Sequence, residues 1–166
     1  MKHILRILIS ILVSYSFGHA QVLRDASGYT ILAPGEKAPE WVAVASDGSQ
    51  LAMPKISTEF LLLGFVEPGC EMCRALLPGL SELQERFQKT LTVVLMSDDS
   101  ESSEWEAWVH DFGSVLRMAL ATKSVLESYK VEATPTLYLL DQDRKVASTR
   151  LVRAEDVDSL LMEKKR

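Results

Sequence analysis

Phe60-Leu-Leu-Leu-Gly-Phe-Val66 runs without a polar side chain, and Glu67-Pro68-Gly69-Cys70-Glu71-Met72-Cys73 follows directly. A continuous apolar run of this length, closed by a Pro-Gly turn, suits a central strand covered on both faces. After Cys70 the spacing becomes helical: Leu76, Leu77, Leu80, Leu83 and Phe87 share one side, with Glu82/Arg86 and Glu85/Lys89 as i,i+4 pairs on the other. A helix to about Lys89 is predicted, with a kink at Pro78-Gly79, because proline removes one ladder bond. Cys70 therefore falls where a buried strand meets the first turn of a helix. Unpaired backbone N–H groups there favour a thiolate, and the thiolate is the nucleophile of disulfide exchange. On this reading Cys70 attacks, and Cys73, one turn further in, resolves the mixed disulfide.

Leu91 to Met96 reads as a second buried strand, so Phe60 to Met96 predicts a strand-helix-strand unit with parallel strands and a right-handed crossover. On the N-terminal side, Asp47-Gly48 between short apolar runs predicts a hairpin. On the C-terminal side, Ser100 to Phe112 and about Ser124 to Lys130 read as helices. Thr136 to Leu140 and Lys145 to Leu151, joined by Asp141-Gln-Asp-Arg144, read as an antiparallel hairpin, and a last helix starts near Ala154. The expected class is α/β, a central mixed sheet flanked by helices.

The chain has 166 residues, 47% of them hydrophobic and 25% charged, with 8 Gly and 6 Pro. Such a composition excludes a disordered, a collagen-like and a multi-span membrane chain. With 18 Lys and Arg against 23 Asp and Glu there is no basic footprint for a phosphate backbone, so nucleic acid is not an expected partner.

Residues 1–20 are read as a cleavable secretory signal: Lys2 and Arg6 open it, Ile7 to Val13 is apolar but for Ser10, and Gly18-His19-Ala20 offers small residues before a cut. The remaining 21–166 form one expected domain, periplasmic or secreted, touching a membrane only through a partner or an uncleaved signal. Loss of Lys2 and Arg6 leaves 16 basic residues against 23 acidic, a charge of −7. In an oxidising compartment Cys70 and Cys73 can form a disulfide. As a staple it would be weak, since closing so short a loop removes only about 2 kcal/mol of unfolded-state entropy. Redox exchange is the favoured role, with a structural bridge and Cu(I) capture by the two thiolates, alone or with Met72, as alternatives. Zinc lacks ligands, so no metal site is assigned.

The strand before Cys70-Glu71-Met72-Cys73, the proline five residues after the second cysteine (Pro78) and Thr134-Pro135-Thr136 before the late hairpin together resemble the thioredoxin superfamily. The resemblance covers nearly all of the chain after the signal. It implies a thioredoxin-like fold with an N-terminal hairpin extension and an inserted helix, a redox-active Cys70–Cys73 disulfide without further cofactor, and a cis Pro135 facing the cysteines. Thr134, Glu71 and Met72 would then contact the substrate. Gly35-Glu-Lys-Ala-Pro39, the Asp47-Gly48 hairpin and the inserted helix after Ser97-Asp98-Asp99 are similar to the secreted TlpA and ResA branch. More narrowly, Phe65 to Leu77 with Pro78, Val94 to Asp98, and Leu151-Val-Arg153 leading to Ser159-Leu160 are similar to the MauD proteins of methylamine dehydrogenase maturation.

The implied partners are a client protein with cysteines and a membrane-bound thiol electron carrier. MauD implies forming or correcting client disulfides; TlpA and ResA imply reducing cysteines for cytochrome c or copper-site maturation. The different-class alternative is a non-catalytic Cu(I) metallochaperone. The chain departs from the pattern at Gly69, where an aromatic is common. It departs also at Gly64, where thioredoxins carry a buried acid, and at Leu76, where ResA carries one. Trp105 and Trp108 are read as packing residues, and Asp98, Asp99, Glu101, Glu104 and Glu106 as a solvated, capping face.

Overall fold

The computed structural model describes residue 28, residues 30–149, residue 151 and residues 153–164. The expected signal at 1–20 lies outside the described residues, as do Lys165 and Arg166. Among the described residues, no helix is long and apolar enough to cross a membrane.

The elements in order are β1 (Val42–Ala45), β2 (Gln50–Ala52), β3 (Phe60–Phe65), α1 (Glu71–Arg86), β4 (Leu91–Ser97), α2 (Ser103–Phe112), β5 (Arg117–Leu120), α3 (Lys123–Ser128), β6 (Thr136–Leu140), β7 (Val146–Ser148) and α4 (Ala154–Lys164). The strands form one mixed sheet in the order β2-β1-β5-β4-β3-β6-β7. The β3-α1-β4 crossover is parallel, as the spacing predicts, and β6 pairs antiparallel with β3 on its other side. Asp47-Gly48 closes the β1-β2 hairpin.

The apolar runs of the central strands split by parity. Phe60 and Leu62 of β3, Leu91, Val93 and Leu95 of β4, and Leu137 and Leu139 of β6 enter one core, with Leu77 and Leu80 of α1, Trp105 and Trp108 of α2, and Val157 and Leu161 of α4. Leu61, Leu63 and Phe65, Val94 and Met96, and Tyr138 and Leu140 enter the other, with Trp41 and Tyr129. Side chains alternate across a strand, so only a strand covered on both faces can be apolar throughout. β3 is buried at every position.

Two expectations need correction. The sequence reading passes from α2 to the next helix without a strand, yet β5 lies there, pairing parallel with β4 and antiparallel with β1. Its four residues are too few to carry a period and include the exposed Arg117, so its pairing is a tertiary effect. The helix after β3 stops at Arg86 with Phe87 as its C-terminal cap, short of Lys89. That helix continues through Pro78. Gly79 sits where a Cβ would lie 2.7 Å from the Cβ of Ala154, so the glycine lets α4 approach α1 closely.

Candidate active site

The turn that carries Cys70 is built by local backbone demands. Val66 N–H extends the ladder to Met96 O at 2.9 Å, and Cys70 N–H closes a turn onto Glu67 O at 3.1 Å. Gly69 holds φ +86°, a conformation that L side chains rarely adopt, which explains why no aromatic stands before the cysteine. Cys70 is then the N-cap of α1, and its Sγ accepts from Cys73 N–H at 3.2 Å.

Cys70 and Cys73 are joined as a disulfide with their Cα atoms 5.2 Å apart. Cys70 is half-buried, whereas Cys73 is wholly buried against the apolar core that includes Leu76, Leu77 and Leu80. The accessible sulfur is the one at the helix start. Cys70 is the outward and Cys73 the inward member of the pair, and a nucleophile must reach its target, so Cys70 is the sulfur open to attack on a partner.

Pro135 arrives through the sheet register. Phe65 pairs with Thr136, so the residues just before β6 lie alongside the turn that follows β3. The Thr134–Pro135 bond is cis, and Cys70 Sγ is 3.7 Å from Thr134 O. Thr136 Oγ1 donates to Ala133 O at 2.6 Å and ties the loop down. Thr134 Oγ1 donates to Glu67 Oε2 at 3.4 Å, so this loop and the cysteine turn are linked by side chains as well. Glu71 is exposed, and Met72 is 67% exposed, an apolar side chain left in solvent within the Cys-Glu-Met-Cys turn. A depression of about 180 Å³ shares Glu67 and Thr134 with the site and is also lined by Phe65, Met96, Asp98 and Glu132.

Sequence reasoning missed Glu104. Read as one acid of a solvated face, it instead crosses from α2 to the cysteine turn: Gly69 N–H donates to its Oε2 at 2.6 Å, and Arg74 Nε donates to its Oε1 at 2.7 Å. Arg74 Nη2 reaches the same oxygen. These donors, Arg74 first and Gly69 second, hold the Glu104 carboxyl below its ordinary range. Its place in the first turn of an inserted helix was legible; its reach to a loop 35 residues earlier was not. Of the expected Ser or Asp caps, Ser102 is the one that caps α2, its Oγ accepting from Glu104 N–H, while Asp99 Oδ1 accepts from Glu101 and Ser102 N–H in the turn just before the helix.

Trp105 and Trp108 are buried, with ring centroids 6.5 Å apart, and belong to the core. Gly64 faces no free space: a Cβ there would meet Leu95 Cδ2 at 2.7 Å and Leu137 Cδ2 at 2.8 Å, so an acid at that position would have to displace both leucines. Among the described residues no group of three or more His, Cys, Asp or Glu is placed to hold a metal ion.

A helix-capping disulfide facing a cis-proline loop is the arrangement expected from the sequence resemblance, and the Thioredoxin-like family matches residues 58–146, which contain both. The chain belongs to the thioredoxin-like family. Thioredoxin-like oxidoreductases work through a redox-active disulfide, the role open here to Cys70–Cys73. The chain is 23% identical over 114 residues to the thiol-disulfide oxidoreductase ResA of Bacillus thuringiensis (strain Al Hakam), covering 68% of this chain and 66% of that one. It thus spans about two thirds of that relative's length. With ResA of Geobacillus thermodenitrificans (strain NG80-2) the identity is 24% over 158 residues, 93% of this chain and 91% of the relative. The thioredoxin domain of a thiol-disulfide oxidoreductase from Bacteroides vulgatus is similar in structure with a TM-score of 0.73 at 25% identity, over 81% of this chain and 99% of that one. The thioredoxin-like chain is therefore similar to ResA-type oxidoreductases at low identity.

Proposed function

We propose that this protein is an exported thiol-disulfide oxidoreductase that reduces disulfides in a client protein. The observation that carries the reading is the split between a half-buried Cys70 at the start of α1 and a wholly buried Cys73. In the reduced protein, the Cys70 thiolate attacks a client disulfide; that bond breaks, and the departing client sulfur takes a proton. Cys73 then gives up its proton and attacks Cys70 Sγ. The second client thiol is released, the Cys70–Cys73 disulfide forms, and two electrons have passed to the client. A membrane-borne thiol carrier would restore the dithiol. Thr134 and Pro135 would align the client strand, with Glu71 and Met72 at its side.

Charge favours this direction. Glu67 and Glu71 lie in the turn on either side of Cys70, and Arg74, one helical turn on, is engaged by Glu104. Like charge disfavours a thiolate, and a poorly stabilised thiolate makes a reducing couple. Clients would be cysteines awaiting haem or copper, as the TlpA and ResA resemblance implies, met in the periplasm or outside the cell if residues 1–20 direct export.

A second reading, favoured by the Phe65 to Leu77 segment and its similarity to MauD, is disulfide formation or isomerisation during methylamine dehydrogenase maturation. Equilibration of the protein in graded glutathione or dithiothreitol buffers separates the two. A potential below about −230 mV supports the reductant, and one near −120 to −180 mV supports the oxidase or isomerase. No reversible couple overturns both and leaves Cu(I) capture, which copper stoichiometry under reducing conditions would measure.

A further inference from the structure

The inserted helix α2 touches the cysteine turn through one side chain. Glu104, with a side chain 24% exposed, accepts Gly69 N–H at 2.6 Å and Arg74 Nε at 2.7 Å. Gly69 immediately precedes the nucleophile, and Arg74 N–H donates to Cys70 O at 3.1 Å, so both partners of Glu104 are bonded, directly or by one peptide, to Cys70 itself. Arg74 is the cation nearest in sequence to Cys70 and would otherwise be free to stabilise its thiolate. Ser102 caps the helix through Glu104 N–H, which fixes the residue that carries the carboxylate.

We infer that Glu104 is a positioning residue for the thiol: it holds the Gly69–Cys70 turn and withholds the Arg74 charge from Cys70, which sets the couple toward reduction. The inference rests on the oxidoreductase reading of Cys70 and Cys73. The other charged side chains of the cysteine turn and of the depression beside it are Glu67, Glu71, Asp98 and Glu132, all acidic and exposed. Arg74 is therefore the charge whose neutralisation matters most. A helix N-terminus alone lowers a thiol's pKa; with its neighbouring cation cancelled, the shift stays modest.

The test is a cycle of Glu104→Gln, Arg74→Gln and the double variant in the full chain, read by thiolate absorbance against pH and by equilibration with glutathione. The amide introduced by Glu104→Gln keeps an acceptor for Gly69 N–H, so charge is isolated from geometry. Glu104→Gln frees Arg74 and is expected to lower the Cys70 pKa by about half a unit and favour the dithiol roughly threefold, equivalent to about 14 mV for a two-electron couple. Arg74→Gln leaves Glu104 uncovered and shifts both quantities the opposite way; the double variant returns near the parent. A residue serving only to hold the fold would lower the thermal midpoint without opposed shifts, so equal-sign shifts, or none, overturn the inference. Absence of a reversible couple in the parent overturns the oxidoreductase reading and the inference together.

Discussion

The backbone N–H of Cys73 points at Sγ of Cys70 from 3.2 Å. In the oxidised protein sulfur is a weak acceptor, but on reduction the same donor faces a thiolate, and a charged acceptor is held more strongly. Stabilisation of the charged form lowers the Cys70 pKa below the ordinary thiol value of about 8.5. Glu67 and Glu71 oppose it, and Arg74 is engaged by Glu104. The balance predicts a Cys70 pKa closer to thioredoxin's value of about 7 than to DsbA's of about 3.5. Thiolate absorbance of the dithiol, titrated against pH, measures it directly. A midpoint below about 5 would contradict the electrostatic account.

The unequal burial of the two sulfurs predicts unequal trapping. With Cys73→Ser, the mixed disulfide at Cys70 has no resolving thiol, so client adducts should accumulate on a non-reducing gel and be released by dithiothreitol. With Cys70→Ser, the remaining thiol is buried and adducts should be scarce. Both variants should lose turnover by orders of magnitude while only the first captures partners. Comparable capture by both would mean that Cys73 is reached by clients and that the division of labour is wrong.

Glu104 ties stability to pH through its lowered pKa, held down first by the Arg74 hydrogen bond and then by Gly69 N–H. A carboxyl depressed in the folded state contributes stability above its unfolded pKa, near 4.5, and loses it as pH falls through the folded value. The parent should therefore have a higher thermal midpoint than Glu104→Gln at neutral pH. The gap should narrow below about pH 4.5 and close in stronger acid. A gap unchanged across that range would assign the effect of the substitution to shape alone.

Much of this was readable because the chain's strongest patterns are local. An uninterrupted apolar run pointed to β3, a run broken only by Thr92 pointed to β4, helical spacing pointed to α1, and a C-x-x-C at the β3-α1 junction marked the cysteine pair before any contact was known. Pro135 was reachable only through the family resemblance, since nothing local to Thr134-Pro135-Thr136 says that the β3-β6 register brings it to Cys70. What escaped is non-local in the same sense. β5 is a strand because β1 and β4 offer it edges, and Glu104 matters because α2 docks over the Gly69 turn. Neither fact leaves a period or a spacing in the sequence.

Gly64 offers the sharpest test of the packing behind the site. It lies in the middle of β3, where glycine normally weakens a strand by its backbone freedom. The cost is accepted because Leu95 from β4 and Leu137 from β6 close over it, each with a Cδ2 within 2.8 Å of where a Cβ would stand. Both leucines are wholly or almost wholly buried, with no solvent side to move into. Gly64→Ala must therefore push two packed side chains from their places, and overpacking of this kind costs about 1–3 kcal/mol. The strand's gain in propensity recovers only part of that. Gly64→Asp should be worse, since it adds an unpartnered charge to an apolar core. Urea unfolding measures both: the expected result is a lower midpoint at an unchanged slope, deeper for aspartate than for alanine. An alanine variant as stable as the parent would mean that Leu95 and Leu137 yield freely, and the close packing around Gly64 would no longer count against an acid at that position.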